Sequence, residues 1–136
     1  MLSAYSIDID STVVQKVGTL DIDAVKQLTG VEFPVADVYM YPGAIKHVKR
    51  RHPGVMETYG HLIPGMISNP DYIGCNPKIP DSVELIKVVS EHILLSIQLD
   101  PSSYVFVSSF YRLDNGIAKV HRRLASGRIV LYRPVD

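Results

Sequence analysis

The chain lacks most of the features that mark a specialised class of protein. Its 136 residues include a single cysteine, Cys75. One cysteine can form neither an internal disulfide nor a cysteine-rich zinc site. That usage fits a reducing compartment. No histidine stands beside Cys75 in sequence, so it reads as a structural residue rather than a nucleophile. No apolar run is long enough to cross a bilayer. Met1–Asp10 lacks the basic start and long apolar stretch of a secretory signal. A cytoplasmic location with no membrane partner is therefore expected. There is no internal repeat, no low-complexity tract, no phosphate loop, no Rossmann glycine fingerprint and no Gly-x-Ser-x-Gly elbow. No spaced acidic cluster points to a magnesium nuclease. His47 and His52 would lie about 140° apart on a helix, which is wrong for a shared zinc. Neither a metal nor a cofactor is expected.

Net charge is absent too, with 14 basic against 14 acidic side chains. A uniformly basic surface is excluded, but the charges are sorted along the chain. Residues 1–40 carry two lysines against six acids, whereas residues 112–136 carry six basic residues against two acids. Between them lies Lys46-His-Val-Lys-Arg-Arg-His52. Two basic segments on a balanced chain suggest a local anion site. At 46% hydrophobic and 21% charged, the composition is that of a globular domain large enough to fold without staples. The whole chain, 1–136, reads as one domain, with an N-terminal segment over about 1–37 and a core over 38–132.

Periodicity outlines the elements. Val13–Leu20 is ambiguous. Asp21–Gly30 reads as a helix capped by Asp21 and ended by Gly30. Residues 37–41 read as a strand. Gly43–His52 reads as a helix with Ile45, Val48 and His52 on its apolar stripe; His47 and Arg51, four apart, share another face. His61–Ile73 suggests a short helix with loops. Val83–Val89, Ile93–Leu99 and Tyr104–Leu113 alternate as strands of an antiparallel meander. Phe106 and Phe110 are expected to share the core face. Asn115–Ala125 reads as a helix with Ile117, Val120, His121 and Leu124 facing the core and Lys119 and Arg123 facing solvent. Arg128–Arg133 is a last strand. Helices, then a meander, then one late helix and a final strand make an α+β order.

The residues that point to chemistry are His47, Arg51 and His52 on one helix and Ser126-Gly127-Arg128 at a turn. Breaking an RNA phosphodiester without metal needs a base for the ribose 2′-OH, an acid for the leaving 5′-oxygen, and cations for the phosphate. Histidine suits the first two tasks and arginine the third. The competing structural explanations are a helix-terminal role for His52 and Arg51, a helix stop for Ser126-Gly127, and an edge-strand charge for Arg128. His61 and His92 sit beside loops and carry no partner pattern, and His121 falls on the core-facing stripe of its helix. Tyr111 and Tyr132 offer rings or hydroxyls on strands, and unpaired bases stack on such rings.

The stretch Val38-Tyr-Met-Tyr-Pro-Gly-Ala-Ile-Lys-His47-Val-Lys-Arg-Arg-His52-Pro, then Ile67-Ser-Asn-Pro-Asp-Tyr-Ile-Gly74, then Leu124-Ala-Ser-Gly-Arg128, resembles the phage-associated nuclease domains of the barnase–EndoU–colicin–RelE (BECR) fold. The resemblance covers roughly residues 38–132. It implies N-terminal helices packed on one side of a small antiparallel sheet, and metal-independent cleavage of RNA by 2′-OH transesterification in a phage or toxin setting. It implies catalytic roles for His47, His52, Ser126 and Arg128. Arg51, Lys119 and Arg123 join them as substrate-binding candidates, with Tyr111 added from its place on the third long strand. RNA, with tRNA as one candidate, is the expected partner. A toxin would also need a neutralising antitoxin or immunity protein, and a homo-oligomer is open. Two other readings stand beside this one: a non-catalytic RNA-binding or phage accessory domain using the same cleft, and an enzyme on a small anionic substrate in a closed pocket.

Overall fold

A computed structural model describes residues 5–133; Met1–Ala4 of the N-terminal segment, and Asp136 of the basic C-terminal one, lie outside them. The chain opens with strand β1 (Gln15–Thr19), which resolves the ambiguous stretch. Helix α1 (Ile22–Thr29) follows, and the Asp21 carboxylate accepts from Ala24 N at its start. Such a cap is worth about 1 kcal/mol. Gly30 closes the helix at φ 79°, a conformation that costs glycine nothing. Strand β2 (Asp37–Met40) leads into α2 (Pro42–Arg51), with proline in the first turn where its missing N–H is harmless. Two short helices, α3 (Val55–Tyr59) and α4 (Ile63–Ser68), are joined by a 3-10 turn. Then come β3 (Tyr72–Gly74), β4 (Ser82–Val88), β5 (His92–Leu99) and β6 (Val105–Arg112). Helix α5 (Gly116–Ser126) and strand β7 (Ile129–Leu131) finish the fold.

The architecture is α+β. All strands join one seven-stranded sheet in the order β1-β2-β6-β5-β4-β3-β7. It is larger than the small sheet expected, because β1 and β3 add to it. Every pairing is antiparallel except β2 with β6. The meander β4-β5-β6 is its centre, as the alternation implied. The sheet's two faces are unequal. One carries Val38, Met40, Val83, Leu85, Ile93, Leu95, Ile97, Val105, Val107 and Phe110, and packs against buried residues of α1 to α4. The other carries a small cluster of Ile86, Leu94, Leu113 and Ile129 beneath Val120 of α5. Most of that second face has no helix over it among the described residues.

Two expectations are corrected here, and both corrections shape the second face. First, Phe106 and Phe110 do not share a side. Ser109 pairs with Ser96 and Val107 with the next residue, Ile97, so Ser108 is an extra residue in β6. A one-residue bulge inverts the alternation beyond it. Phe110 therefore joins the main core, while Phe106 and Tyr111 point to the second face. Secondly, α5 is rotated from the expected stripe. Val120 is buried, but Ile117 is 69% exposed, and Leu124 and His121 are exposed as well. Lys119 and Arg123 turn towards the sheet instead of solvent. The physical reason lies beneath them: a buried carboxylate needs a cation more than the helix needs an apolar stripe.

Candidate active site on the open sheet face

That carboxylate is Glu84, only 3% exposed in the middle of β4. Val83 and Leu85 on either side face the main core, so Glu84 faces the other way. Its row across the sheet is made of small residues: Ser109 beside Ser96, Ser96 beside Glu84, Glu84 beside Gly74. They form a trough with one acid in its floor. The next row towards α5 is Tyr111, Leu94, Ile86 and Tyr72, which α5 covers. Glu84 therefore sits at the lip of the covered region, where the face opens.

Two arginines reach it from the C-terminal end of the chain. Arg128 donates from Nη2 at 2.8 Å and from Nε at 3.3 Å, both to Oε1. Arg123 Nη1 lies 3.9 Å from the same oxygen, is buried, and makes no hydrogen bond among the described residues. Both Arg128 hydrogen bonds go to Oε1, and Glu84 Oε2 has none among the described residues. The turn that brings both arginines together is Ser126-Gly127-Arg128. Gly127 takes φ 79°, the Ser126 hydroxyl donates to the Arg123 carbonyl at 3.2 Å, and it accepts a longer contact from Arg128 N at 3.4 Å. Ser126 thus ties the backbone of one arginine to the other. Arg128 enters β7 hard against Gly74. A Cβ on Gly74 would lie 2.0 Å from the Arg128 carbonyl oxygen, and no side chain fits there.

Tyr111 extends the site along the lip. Burial, and then the charge of Glu84, push its phenol above the ordinary tyrosine value, while Arg123 and Arg128 pull it down. The four groups therefore share one electrostatic environment. Stacked on Tyr111 is the imidazole of His52, with ring centroids 5.2 Å apart and planes 23° from parallel. His52 ends α2, and its N–H donates to the Val48 carbonyl at 2.8 Å. His52, Tyr111 and Lys119 line one groove of about 630 Å³ with Thr58, Tyr59 and Arg112. Lys119 has no ion-pair partner among the described residues.

Of the residues the sequence proposed, the fold gathers Arg123 and Arg128 on Glu84, with Ser126 behind them in the turn, and places His52, Tyr111 and Lys119 together in a separate groove that Tyr111 links to the field of Glu84. It does not bring His47 or Arg51 there. His47 is exposed on α2 with Nδ1 3.3 Å from Arg50 Nη2, and Arg51 is exposed without an ion pair among the described residues. Cys75 lines a separate groove with Ser126 and Arg128, and burial pushes its thiol up, away from the thiolate. Among the described residues no cluster of three metal-ligating side chains occurs. No described helix is long and apolar enough to cross a membrane. Glu84 is the residue that sequence reasoning missed. Its signal was an acid between two apolar neighbours, Val83 and Leu85, in a strand with one other charged residue, Lys87.

The family model described as phage-Barnase-EndoU-ColicinE5/D-RelE like nuclease3 matches residues 15–119. The chain belongs to this nuclease family. No curated protein and no solved structure matches it. The span matched to the phage BECR-like nucleases starts at the first residue of β1, so β1 and α1 lie within the family's region rather than outside it. It contains His47, His52, Glu84, Tyr111 and Lys119, and ends before Arg123, Ser126 and Arg128.

Proposed function

We propose that the chain is a ribonuclease that cleaves RNA by transesterification at the Glu84 trough, without a metal ion. The single observation that carries this reading is a buried carboxylate, clasped on one oxygen by Arg128 and free on the other. A carboxylate held in that way can take the proton of a ribose 2′-OH on Oε2. The 2′-oxygen then bonds to phosphorus as the bond from phosphorus to the 5′-oxygen breaks. Arg128 uses two N–H donors on Glu84, and Arg123 uses none among the described residues. The remaining donors can hold the phosphate oxygens as charge builds on them. His52, on the far side of Tyr111, returns a proton to the leaving 5′-oxygen. The products are a 2′,3′-cyclic phosphate and a 5′-hydroxyl. Lys119 and Arg112 along the groove supply cations for flanking phosphates. One acid surrounded by guanidinium groups is also a poor seat for a divalent cation, because the arginines already occupy its field.

The test is cleavage of mixed single-stranded RNA and tRNA in excess EDTA, with His52→Ala and His47→Ala beside the wild type. The expected result is cleavage by the wild type, loss of about a hundredfold or more in His52→Ala, and near-normal rates in His47→Ala. Loss in His47→Ala with near-normal rates in His52→Ala would move the acid onto the outer face of α2. Intact RNA with every protein, across a broad substrate panel, would leave a binding or accessory domain in place of an enzyme.

A further inference from the structure

Beyond the trough, the uncovered part of the second face is aromatic. The row next to Ser109-Ser96-Glu84, about 7 Å further along the strands, runs Lys16, Tyr39, Phe106 and Gln98 by direct strand pairing. Tyr104 lies two residues before Phe106 and so on the same side, with ring centroids 5.8 Å apart at 52°. Tyr41, two residues after Tyr39, sits 5.7 Å from Tyr104 at 49°. None of these rings belongs to either apolar cluster. Tyr41 is 38% exposed and the others are half-buried. Four aromatic side chains thus lie side by side on a sheet face that no helix covers among the described residues, one row from a guanidinium-lined acid.

We propose that Tyr39, Tyr41, Tyr104 and Phe106 form a stacking platform for the bases of single-stranded RNA whose backbone lies along the Glu84 trough. The proposal rests on the ribonuclease reading above for its ligand and adds where on the sheet the bases of an unpaired strand lie. Unpaired bases offer faces that rings can cover, whereas a duplex keeps its bases stacked on each other. The trough itself is floored by serines that leave room for a backbone. Gln98 beside Phe106 offers an amide to a base edge, and Lys16, paired with Asp37 at 2.9 Å, marks the outer end of the row.

The experiment uses a labelled 2′-O-methyl RNA strand, which cannot be cleaved by this route, together with its duplex and a strand of the same length carrying abasic sites. Affinity is read by fluorescence anisotropy across a salt series, for the wild type and for Tyr41→Ala, Phe106→Ala, Tyr104→Ala and Tyr104→Phe. The platform predicts that the wild type binds the intact single strand about tenfold or more tightly than either the duplex or the abasic strand. Each alanine variant should lose about tenfold on the intact strand only, with an unchanged salt slope, because the phosphate contacts persist. Tyr104→Phe, which keeps the ring, should retain the preference. Tyr41 is exposed, so its variant tests the platform even if Phe106→Ala folds poorly. Equal binding of intact and abasic strands, or no effect of Tyr41→Ala and Tyr104→Ala, would overturn the platform while cleavage by the wild type left the nuclease standing. Platform-dependent binding without any cleavage of ordinary RNA would do the reverse.

Discussion

Glu84→Gln will fold, bind RNA and fail to cut it. The substitution keeps the shape of the side chain and its contact with Arg128, but removes the carboxylate proposed to take a proton from a 2′-OH. General-base catalysis by a placed side chain is worth roughly a hundredfold to ten-thousandfold, so a loss in that range is expected for kcat, with little change in KM. The measurement is steady-state cleavage in EDTA, with circular dichroism and a melting curve to show that the variant is folded. A folded Glu84→Gln protein that retained more than a tenth of the rate would remove Glu84 from the chemistry. It would recast the acid as a clamp for Arg128.

The second large effect concerns stability. Arg128→Ala leaves Glu84 buried, with its nearest remaining cation, Arg123, at 3.9 Å. Breaking a buried pair from one side costs about 3–5 kcal/mol, because the surviving charge has lost both water and partner. A chain of this size has a total stability of roughly 5–15 kcal/mol, so urea midpoints should fall sharply. Replacing both partners by leucine is expected to return only part of that loss, since it removes the stranded carboxylate but leaves the buried Arg123 without its counter-charge. Activity should remain absent in the double variant. If Arg128→Ala proved as stable as the wild type, the pair would be solvated more than its geometry indicates. If the double variant were active, the trough would not be the site. The contrast separates what the pair contributes to folding from what it contributes to chemistry.

The sequence disclosed the parts of the fold that depend on local pattern. Asp21 and Gly30 delimited α1 because capping and left-handed closure are properties of a few adjacent residues. The meander was visible because β4, β5 and β6 are long enough to alternate. Strand β3, three residues long, was not, since its existence depends on β4 and β7 on either side. The bulge at Ser108 was hidden for the same reason. It arises from pairing with β5, and it reversed the side on which Phe106 and Phe110 fall. Helix α5 misled because hydrophobic spacing named Ile117 and Leu124 as its core face. A tertiary demand, the burial of Glu84, turned Arg123 inwards in their place.

The site was legible in the same uneven way. Basic residues stand out against a neutral chain, so Arg123, Arg128, Lys119 and His52 are legible in the sequence itself. Their common partner was a single glutamate among apolar neighbours, and spacing within the chain does not reveal a contact 44 residues apart. His47 was attractive for the opposite reason. It stood off the core stripe, and the fold leaves it on the outer surface of α2 beside Arg50. Residues that looked free of structural duty were thus less informative than one acid that seemed out of place.

The most direct test of the account is to offer the chelator-treated protein two matched single-stranded oligonucleotides, one all ribose and one with a single 2′-deoxy nucleotide at the cleaved position. The account predicts that the ribose strand is cut to fragments ending in 2′,3′-cyclic phosphate and beginning with 5′-hydroxyl, and that the deoxy strand stays whole at that position. Cleavage of both strands, or fragments with 5′-phosphate ends, would contradict it.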